Sequence, residues 1–301
     1  MTAVTLPPVS IVNDAEYPVE SPAETWIDDT LARKIAVLNA VYSSYRDHDV
    51  AIHLEDEMWN GLLIGGSHDG PASRWARMHY FYGGRSAMRT IADALIAADT
   101  RLPSRVMDFP CGHGRVLRFL RKAFPEATLY GGDLNAGGVA FCAERFGALP
   151  VVSQVDLQAV DLPQSLDLIW CGSLATHLPE ASCLVLFKRL VDALAPGGIA
   201  GITVCARGMD FAQRHIFKTI PDASYERIYA DWRETGFGYA DYPGAQGYGM
   251  TFVDLRWIER FLQQRSDAYL LSYAEKAWHG GQDVAWIIKR PLSYWYDWAH
   301  D

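Results

Sequence analysis

The chain has 301 residues, of which 50% are hydrophobic and 21% charged, and its formal net charge is −9 at pH 7. This length suffices for one large domain with a substantial core, and the negative charge disfavours nucleic acids and anionic membranes as partners. No apolar run is long enough to span a bilayer, the cysteines form no Cys-x-x-Cys pair and the N-terminus shows no signal peptide. We therefore expect a reduced, cytoplasmic protein.

The N-terminal third predicts an arm followed by helices. Prolines punctuate residues 1–22, which indicates an extended arm, and a homo-oligomer formed through that arm stays open. The apolar residues of 23–45 fall on one face of a helix, and residues 72–98 repeat the pattern. We expect Gly83 and Gly84 to break or kink this second helix.

The stretch between these helices, residues 46–71, contains histidines and carboxylates without the spacing of a metal site. We therefore expect no metal, and a solvated acidic helix start explains these residues better. Its end, residues 65–71, is a flexible loop by composition. Residues 1–98 as a whole are expected to pack on the core as a lid.

A buried strand, a glycine turn and a helix follow one another over residues 105–124. The strand ends near Asp108, because Pro110 has no N–H to donate to a neighbouring strand. Gly112 and Gly114 allow a sharp bend and a close approach of ligand atoms to the backbone. Such a unit places a ligand at the carboxyl end of the strand, beside the start of the helix.

The spacing of these glycines separates two classes of ligand. A dinucleotide motif has a third glycine where this chain has Leu117, which disfavours a nicotinamide cofactor. Residues 108–115, Asp-Phe-Pro-Cys-Gly-His-Gly-Arg, instead resemble motif I of the class I S-adenosylmethionine-dependent methyltransferases, with Pro110 in place of the family's first glycine. Residues 79–85 resemble the family's segment near the methionine end of the cofactor, although an aromatic core stripe is an equal alternative.

A second strand, residues 127–133, ends in Asp133. A carboxylate at this point can accept hydrogen bonds from both hydroxyls of a ribose, in either cofactor class. The alternative is an N-cap for a helix over residues 136–146. The resemblance implies further contacts to S-adenosylmethionine from Tyr80, Asp108, Pro110, Cys111, Gly112, Gly114, Leu134, Asp156, Leu157, Cys171 and Gly172.

The remaining segments predict alternating strands and helices. The strands are expected at 149–155, 166–171, 199–204, 268–278 and 283–289, and the helices at 180–194 and 254–262. The Ala-Pro-Gly-Gly turn at 195–198 resembles the family's turn before its fifth strand. The closing pair of strands resembles the antiparallel hairpin at the edge of the family's sheet.

Residues 205–250 do not fit the bare fold. Aromatic residues are interleaved with glycines in this insertion, which follows the fifth strand on the ligand side of the sheet. We interpret it as an aromatic cap over the acceptor, with Tyr239 and Tyr248 as candidate substrate contacts. The alternative is an extra helical pair that only packs.

Two histidines are candidates for a general base. His177 lies six residues past the fourth strand, in a Ser-x-x-Thr-His-Leu segment that resembles a subgroup of bacterial small-molecule methyltransferases. An imidazole with its ordinary pKa near 6.5 can accept a proton at neutral pH, although a hydrogen-bonded loop histidine is the alternative. His279, in the final turn, is the weaker candidate for a base and a candidate substrate contact.

Together these features predict a Rossmann-like α/β fold of the class I methyltransferase type. Its seven-stranded mixed sheet ends in an antiparallel hairpin, and the core spans residues 99–301 with the cap inserted at 205–250. The resemblance implies transfer of a methyl group from S-adenosylmethionine to a small molecule, most simply a sugar or natural-product hydroxyl. An amine or carbon acceptor, a catalytically silent partner subunit and a disfavoured nicotinamide-dependent oxidoreductase stay open.

Overall fold

The computed structural model describes residues 29–66, 73–216 and 218–291. The predicted arm at 1–22 and most of the predicted loop at 65–71 lie outside these ranges. The described helices are α1 (Asp29–Ser44), α2 (Glu57–Gly66), α3 (Arg74–Ala97), α4 (Leu117–Ala123), α5 (Ala136–Phe146), α6 (Glu180–Ala193), α7 (Arg207–His215), α8 (Asp222–Thr235) and α9 (Leu255–Gln263). In this part of the chain, no helix combines the length and apolar character needed to cross a membrane.

The strands form one large sheet and one small hairpin. Their bounds are β1 (Arg105–Asp108), β2 (Thr128–Asp133), β3 (Leu149–Val152), β4 (Leu166–Cys171), β5 (Leu194–Val204), β6 (Phe237–Asp241), β7 (Gly249–Val253), β8 (Ala268–Trp278) and β9 (Gln282–Lys289). The large sheet has the order β3-β2-β1-β4-β5-β9-β8, and β6 pairs only with β7. The first five strands are parallel, whereas β9 runs antiparallel to β5 and to β8. The predicted seven-stranded mixed sheet with a final antiparallel hairpin is confirmed.

The order of the sheet fixes where a ligand can bind. Asp108, the last residue of β1, pairs with Gly131 of β2 on one side and with Trp170 of β4 on the other. The chain order reverses between β1 and β4, and open α/β sheets bind their ligands at such a point, beyond the carboxyl ends of the strands. The segments that follow β1, β2 and β4 therefore meet at one edge.

Both faces of the sheet are covered, as alternation along β9 shows. Val284, Trp286 and Ile288 belong to the core shared with α1 to α5, whereas Ala285 and Ile287 belong to the core beneath α6 and α9. Side chains of a strand point alternately to the two faces, so a strand buried on both sides is apolar throughout. Residues 284–288 of β9 are accordingly apolar at every position.

The insertion at 205–250 contains elements that the sequence did not predict. It begins with α7 and α8 and continues into the hairpin of β6 and β7, which extends to Val253. The insertion has a small core of its own, in which Tyr225, Ile228 and Trp232 of α8 pack against Phe252 of β7. The helical pair named as the alternative is present, but a two-stranded hairpin accompanies it. The role of this insertion as a cap over the acceptor stays a prediction.

The predicted break at Gly83 and Gly84 is wrong, because α3 runs without interruption from Arg74 to Ala97. A Cβ on Gly84 would lie 2.2 Å from a ring carbon of Phe119 and 2.7 Å from the carbonyl oxygen of Arg115. The glycine is therefore required for close packing between α3 and α4 rather than for a bend.

This contact gives a test of the packing. Gly84→Ala is expected to lower the free energy of unfolding by about 1–3 kcal/mol, since the added methyl overpacks the contact with α4. Gly61→Ala in α2 is the matched control, because its Cβ would meet no heavy atom of the described residues within 4 Å. The control should stabilise the protein by about 0.5–1 kcal/mol. Urea denaturation measures both, and equal effects would contradict the packing account.

Candidate active site

The glycine turn, residues 109–116, connects β1 to α4 at the carboxyl edge of the sheet. Gly112 and Gly114 have φ angles of +50° and +76°, a region that residues with side chains rarely adopt. The Gly112 N–H donates to the Asp133 carboxylate at 2.7 Å. The turn is thereby joined to the end of β2, and the two segments form one unit.

The two glycines differ in their surroundings. A Cβ on Gly112 would meet no heavy atom of the described residues within 4 Å, whereas one on Gly114 would lie 2.3 Å from the Phe146 ring and 3.2 Å from the Cys142 sulfur. Gly112 is therefore the residue at which a ligand has room to approach the backbone. Gly114 instead allows α5 to pack against the turn, so its substitution would disturb the fold itself.

Asp133 is the last residue of β2, and each of its carboxylate oxygens accepts a hydrogen bond from a backbone N–H. Oδ2 accepts from the Gly112 N–H at 2.7 Å, and Oδ1 accepts from the Asn135 N–H at 2.8 Å. The N-cap of α5 is Asn135, whose side chain accepts from the Gly138 N–H at 3.0 Å. The alternative that Asp133 caps this helix is therefore wrong. Each carboxylate oxygen has a further lone pair, so Asp133 can still accept hydrogen bonds from a diol.

Asp108, the acid that ends β1, lies buried near Asp133. Burial raises the pKa of Asp108 well above its usual range, the charge of Asp133 adds to this, and Arg115 opposes it. A buried carboxyl near a like charge gives up its proton reluctantly. Asp133, which is partly exposed, is therefore the carboxyl group of this pair that a ligand can reach.

The residues expected to bind the cofactor divide into two groups. Those at least partly exposed are Pro110, Gly112, Asp133, Leu134, Asp156 and Leu157. Those that the structure buries are Tyr80, Asp108, Cys111, Gly114, Cys171 and Gly172. The exposed group is the one that a ligand can touch directly, whereas the buried group shapes the strand ends behind it.

Tyr80 is buried in the core rather than placed on an open surface. Its exposed fraction is 0%. Its hydroxyl donates to the Asp56 carboxylate and accepts from Arg118 Nη2 at 3.3 Å. The alternative of an aromatic core residue is thus the one observed, because the hydroxyl already has two internal partners.

Arg118, which sequence reasoning missed, links the N-terminal segment to the glycine turn. The residue is buried, and its guanidinium donates to the carbonyl oxygens of Asp49 at 3.1 Å and Ala51 at 2.6 Å. It also donates to those of Gly114 at 2.8 Å and His113 at 3.2 Å. An arginine inside an otherwise apolar helix start was the available signal, since such a charge is buried only where acceptors surround it.

The segment 46–57 also covers the turn through stacked rings. The imidazoles of His53 and His113 are nearly parallel, with centroids 4.7 Å apart, and His53 also lies 5.1 Å from the Phe141 ring. These residues form a cover over the glycine turn. The opening of this cover as a lid stays a prediction.

His177 lies in a short 3₁₀ turn, Ala175–His177, just beyond β4. Its Nδ1 is 3.1 Å from the carbonyl oxygen of Gly249 and 3.1 Å from the Tyr242 hydroxyl. A carbonyl only accepts, so the neutral ring that donates Nδ1–H to Gly249 keeps a free lone pair on Nε2. Burial lowers the pKa of His177, and the Gly249 carbonyl partly opposes that shift. A neutral imidazole able to accept a proton is the result.

The inserted hairpin supplies the surroundings of His177. Tyr248, which is 49% exposed, stacks on the imidazole with centroids 4.9 Å apart. Tyr239 instead donates its hydroxyl to Asp241 of the same strand and packs against the core beneath α6. The structure therefore places Tyr248 beside the candidate base, whereas Tyr239 has a separate hydrogen-bonding partner.

A polar chain that sequence reasoning missed joins three strand ends near His177. The Ser173 N–H donates to Thr203 Oγ1 at 2.7 Å, and the Thr203 hydroxyl donates to Gln282 Oε1 at 2.6 Å. Gln282 Nε2 donates back to Ser173 Oγ at 3.0 Å. Because these residues are far apart in the sequence, only the fold brings them together. They hold the loop after β4 in one position.

His279, the second candidate base, lies on the other side of this edge. Its Nε2 is buried and has no hydrogen-bond partner among the described residues. Burial, followed by the nearby charge of Arg115, lowers the pKa of His279 to about 4. The imidazole is therefore neutral at pH 7. Across residues 29–66, 73–216 and 218–291, no group of three or more His, Cys, Asp or Glu side chains is placed to hold a metal ion.

Part of this chain is similar in sequence to known methyltransferases. A family model described as a methyltransferase domain matches residues 106–198, from β1 to the start of β5. Over 130 residues the chain is 33% identical to a trans-aconitate 2-methyltransferase of Deinococcus radiodurans, and over 132 residues it is 27% identical to the Pseudomonas paraeruginosa protein of that name. These alignments cover 42% and 43% of this chain, and 47% and 46% of the relatives. The chain thus spans about half the length of the curated relatives that it matches.

A solved S-adenosylmethionine-dependent methyltransferase from Clostridium acetobutylicum aligns over 69% of this chain and 92% of its own length. The TM-score is 0.48 and the sequence identity 13%. The matched domain lies within the large sheet, whose seven mixed strands end in the antiparallel hairpin. Residues 106–198 therefore match a methyltransferase domain, and the sheet around them has the Rossmann-like class I methyltransferase architecture.

Proposed function

We propose that this protein transfers a methyl group from S-adenosylmethionine to a small-molecule acceptor. The observation that carries the proposal is the unit formed by Gly112 and Asp133 at the carboxyl edge of the sheet. It combines a backbone with open space and a partly exposed carboxylate, joined by a 2.7 Å hydrogen bond. A nucleoside with a ribose diol fits such a pair, and the match of residues 106–198 to a methyltransferase domain supports S-adenosylmethionine as that nucleoside.

Four further residues suit the adenosine part of this cofactor. Leu134, 59% exposed, follows Asp133 directly, and an exposed leucine can cover the flat face of a base. Asp156 and Leu157 follow β3, where an exposed carboxylate and a partly buried apolar side chain stand together. Pro110 at the start of the turn borders the same edge. These residues would hold the adenosine, and no metal is needed for this.

In methyl transfer, the main task of the protein is to align the acceptor with the methyl group. S-adenosylmethionine supplies a methyl group that its positively charged sulfur already activates. The site must hold the nucleophile in line with that carbon and keep water out. A hydroxyl acceptor must also lose its proton, and His177 with its free Nε2 lone pair would accept it. The hairpin that holds His177 would also border the acceptor.

The acceptor that we favour is a hydroxyl of a sugar or another small natural product. The neutral, hydrogen-bonded His177 and the stacked Tyr248 support it, since a base is useful only where a proton must be removed. The curated relatives are named for trans-aconitate, an organic acid. A carboxylate acceptor is ionised at neutral pH and needs no base. An acid is therefore the second candidate, and Arg115 at the same edge is the observation that favours it.

The role of Asp133 gives the direct test. Asp133→Asn is expected to weaken binding of S-adenosylhomocysteine, the demethylated cofactor, by about 10- to 150-fold, which corresponds to the loss of about 1.5–3 kcal/mol for hydrogen bonds to a charged group. Isothermal titration calorimetry measures the affinity. Glu144→Gln, on the exposed face of α5, is the charge-matched control and should bind normally.

The result must be separated from unfolding, because the mutation also weakens the acceptor for the Gly112 and Asn135 N–H groups. Equal thermal midpoints for wild type and variant without ligand show that the fold persists. Normal affinity in a folded Asp133→Asn variant would contradict the assignment of Asp133 to the ribose.

A further inference from the structure

Arg115 is a cation at the candidate site that has no internal partner. Within the described ranges, its guanidinium makes no hydrogen bond and has no carboxylate oxygen within 4 Å. The guanidinium lies over the Trp278 ring, with its central carbon 5.2 Å from the ring centroid. The residue is partly exposed, so a ligand can reach it. Arginines in such positions ordinarily pair with an acid or with carbonyl oxygens, as Arg118 does here.

The acids nearest to Arg115 do not satisfy it. Asp56 already accepts hydrogen bonds from the Tyr80 hydroxyl and from the N–H groups of Met58 and Trp59. Asp108 is buried, and that burial favours its uncharged form. Burial also lowers the pKa of Arg115, so the charged guanidinium is destabilised where it stands. An anion brought in by a ligand would offset that cost.

A second polar group without a partner lies beside Arg115. A Cβ on Gly83 would lie 3.3 Å from Arg115 Nε and 3.2 Å from His279 Cδ2, so both side chains border the same position. The Nε2 of His279 is buried and unpartnered among the described residues. Two adjacent polar groups left without partners mark a place where a polar ligand group is expected.

The planar shape of the Arg115 guanidinium indicates which chemical group it would bind. Trp278 is fixed by its indole N–H, which donates to the Gly83 carbonyl at 2.8 Å, and its ring in turn supports the plane of the guanidinium. A planar guanidinium held in this way presents paired N–H donors that match the two oxygens of a carboxylate. A cation–aromatic contact of this kind leaves the N–H edges free.

We propose that Arg115, supported by Trp278, is the carboxylate-binding residue of this site. The inference rests on the proposed function, because that function brings two possible carboxylates to this edge. One is the α-carboxylate of the methionyl end of the cofactor, and the other belongs to an acidic acceptor. The chemistry is the same in both, so the ligands used in the test must separate them.

The test compares Arg115→Gln and Arg115→Lys with wild type by calorimetry. The probes are S-adenosylhomocysteine, 5′-methylthioadenosine, which lacks the amino-acid end, and citrate added to protein saturated with S-adenosylhomocysteine. Arg85→Gln on the exposed side of α3 is the matched control for the loss of one charge. Arg115→Lys keeps the charge but not the paired donors, so it should fall between wild type and Arg115→Gln.

The affinities of the Arg115 variants for the three ligands distinguish the two possible carboxylates. If Arg115 binds the cofactor carboxylate, Arg115→Gln weakens S-adenosylhomocysteine by about ten-fold or more and leaves 5′-methylthioadenosine within about two-fold. If it binds an acceptor carboxylate, both nucleosides bind normally and only citrate is lost. The proposal is overturned if all three ligands bind normally, or if the two nucleosides weaken equally. Citrate is also titrated without nucleoside, and wild type that then binds citrate through Arg115 but does not bind S-adenosylhomocysteine would contradict the methyl-transfer proposal and leave the carboxylate site in place.

Discussion

Replacing Gly112 by valine is expected to weaken cofactor binding by about 100-fold or more while the chain stays folded. The Cβ of the new residue would meet no heavy atom of the described residues within 4 Å, so the fold has room for the side chain. That open space is where the proposed cofactor approaches the backbone, and a branched side chain would occupy it. The φ angle of +50° adds strain that valine tolerates poorly. Calorimetry with S-adenosylhomocysteine measures the loss.

A matched control separates strain from the loss of ligand space. Gly147, at the end of α5, has a φ angle of +63° and the same empty surroundings among the described residues, but it lies away from the carboxyl edge. Gly147→Val should destabilise the fold as much as Gly112→Val and leave cofactor affinity unchanged. Gly114→Val is expected to unfold the chain, since its side chain would collide with Phe146. A folded Gly112→Val variant with normal affinity would remove the glycine turn from the cofactor site.

Replacing His177 by alanine is expected to lower the turnover of a hydroxyl acceptor by about 10²–10⁴-fold, with cofactor affinity unchanged. The reason is the loss of the Nε2 lone pair, which stays free because Nδ1–H donates its hydrogen bond to the Gly249 carbonyl oxygen. Single-turnover kinetics with S-adenosylmethionine in excess measure the chemical step. His215→Ala on α7 removes an exposed-surface histidine and is the control.

The dependence on pH follows from the direction of the shift. Burial lowers the pKa of His177 below its ordinary value near 6.5, so the neutral, proton-accepting form persists to a lower pH. The rate with wild type should therefore fall on the acid side only below that value, and this acid limb should be absent in His177→Ala. The loss should also be smaller for an acceptor with a more acidic hydroxyl. Turnover within about three-fold of wild type would reject His177 as the base and favour an acceptor that is already ionised.

The sheet was predictable from sequence because its signals are local. The central strands are largely buried and mostly apolar, and β8 and the end of β9 match their predicted bounds to the residue. The glycine turn and the acids that end β1 and β2 were also readable, since their positions follow directly from the strands.

Other features depend on contacts between distant residues. The intact α3 shows this, because Gly84 is explained only by the ring of Phe119 that lies against it. The hydrogen bonds of His177 come from Tyr242 and Gly249, which lie in a hairpin that the sequence did not predict. An acidic helix start was expected within residues 46–71, but the sequence did not give the bounds of α2, which begins at Glu57 and includes the first two residues of the predicted loop at 65–71. The residue pattern of one segment does not show which residues of a distant segment will contact it in the fold.

The measurement that tests the central claim most directly is a calorimetric titration of the full chain with S-adenosylhomocysteine and, separately, with NAD. Both ligands carry an adenosine whose ribose Asp133 could bind, so the comparison asks which one the glycine turn accepts. We predict one S-adenosylhomocysteine site with a dissociation constant of about 1–100 μM and no binding of NAD up to about 1 mM. Binding of NAD without binding of S-adenosylhomocysteine would contradict the account.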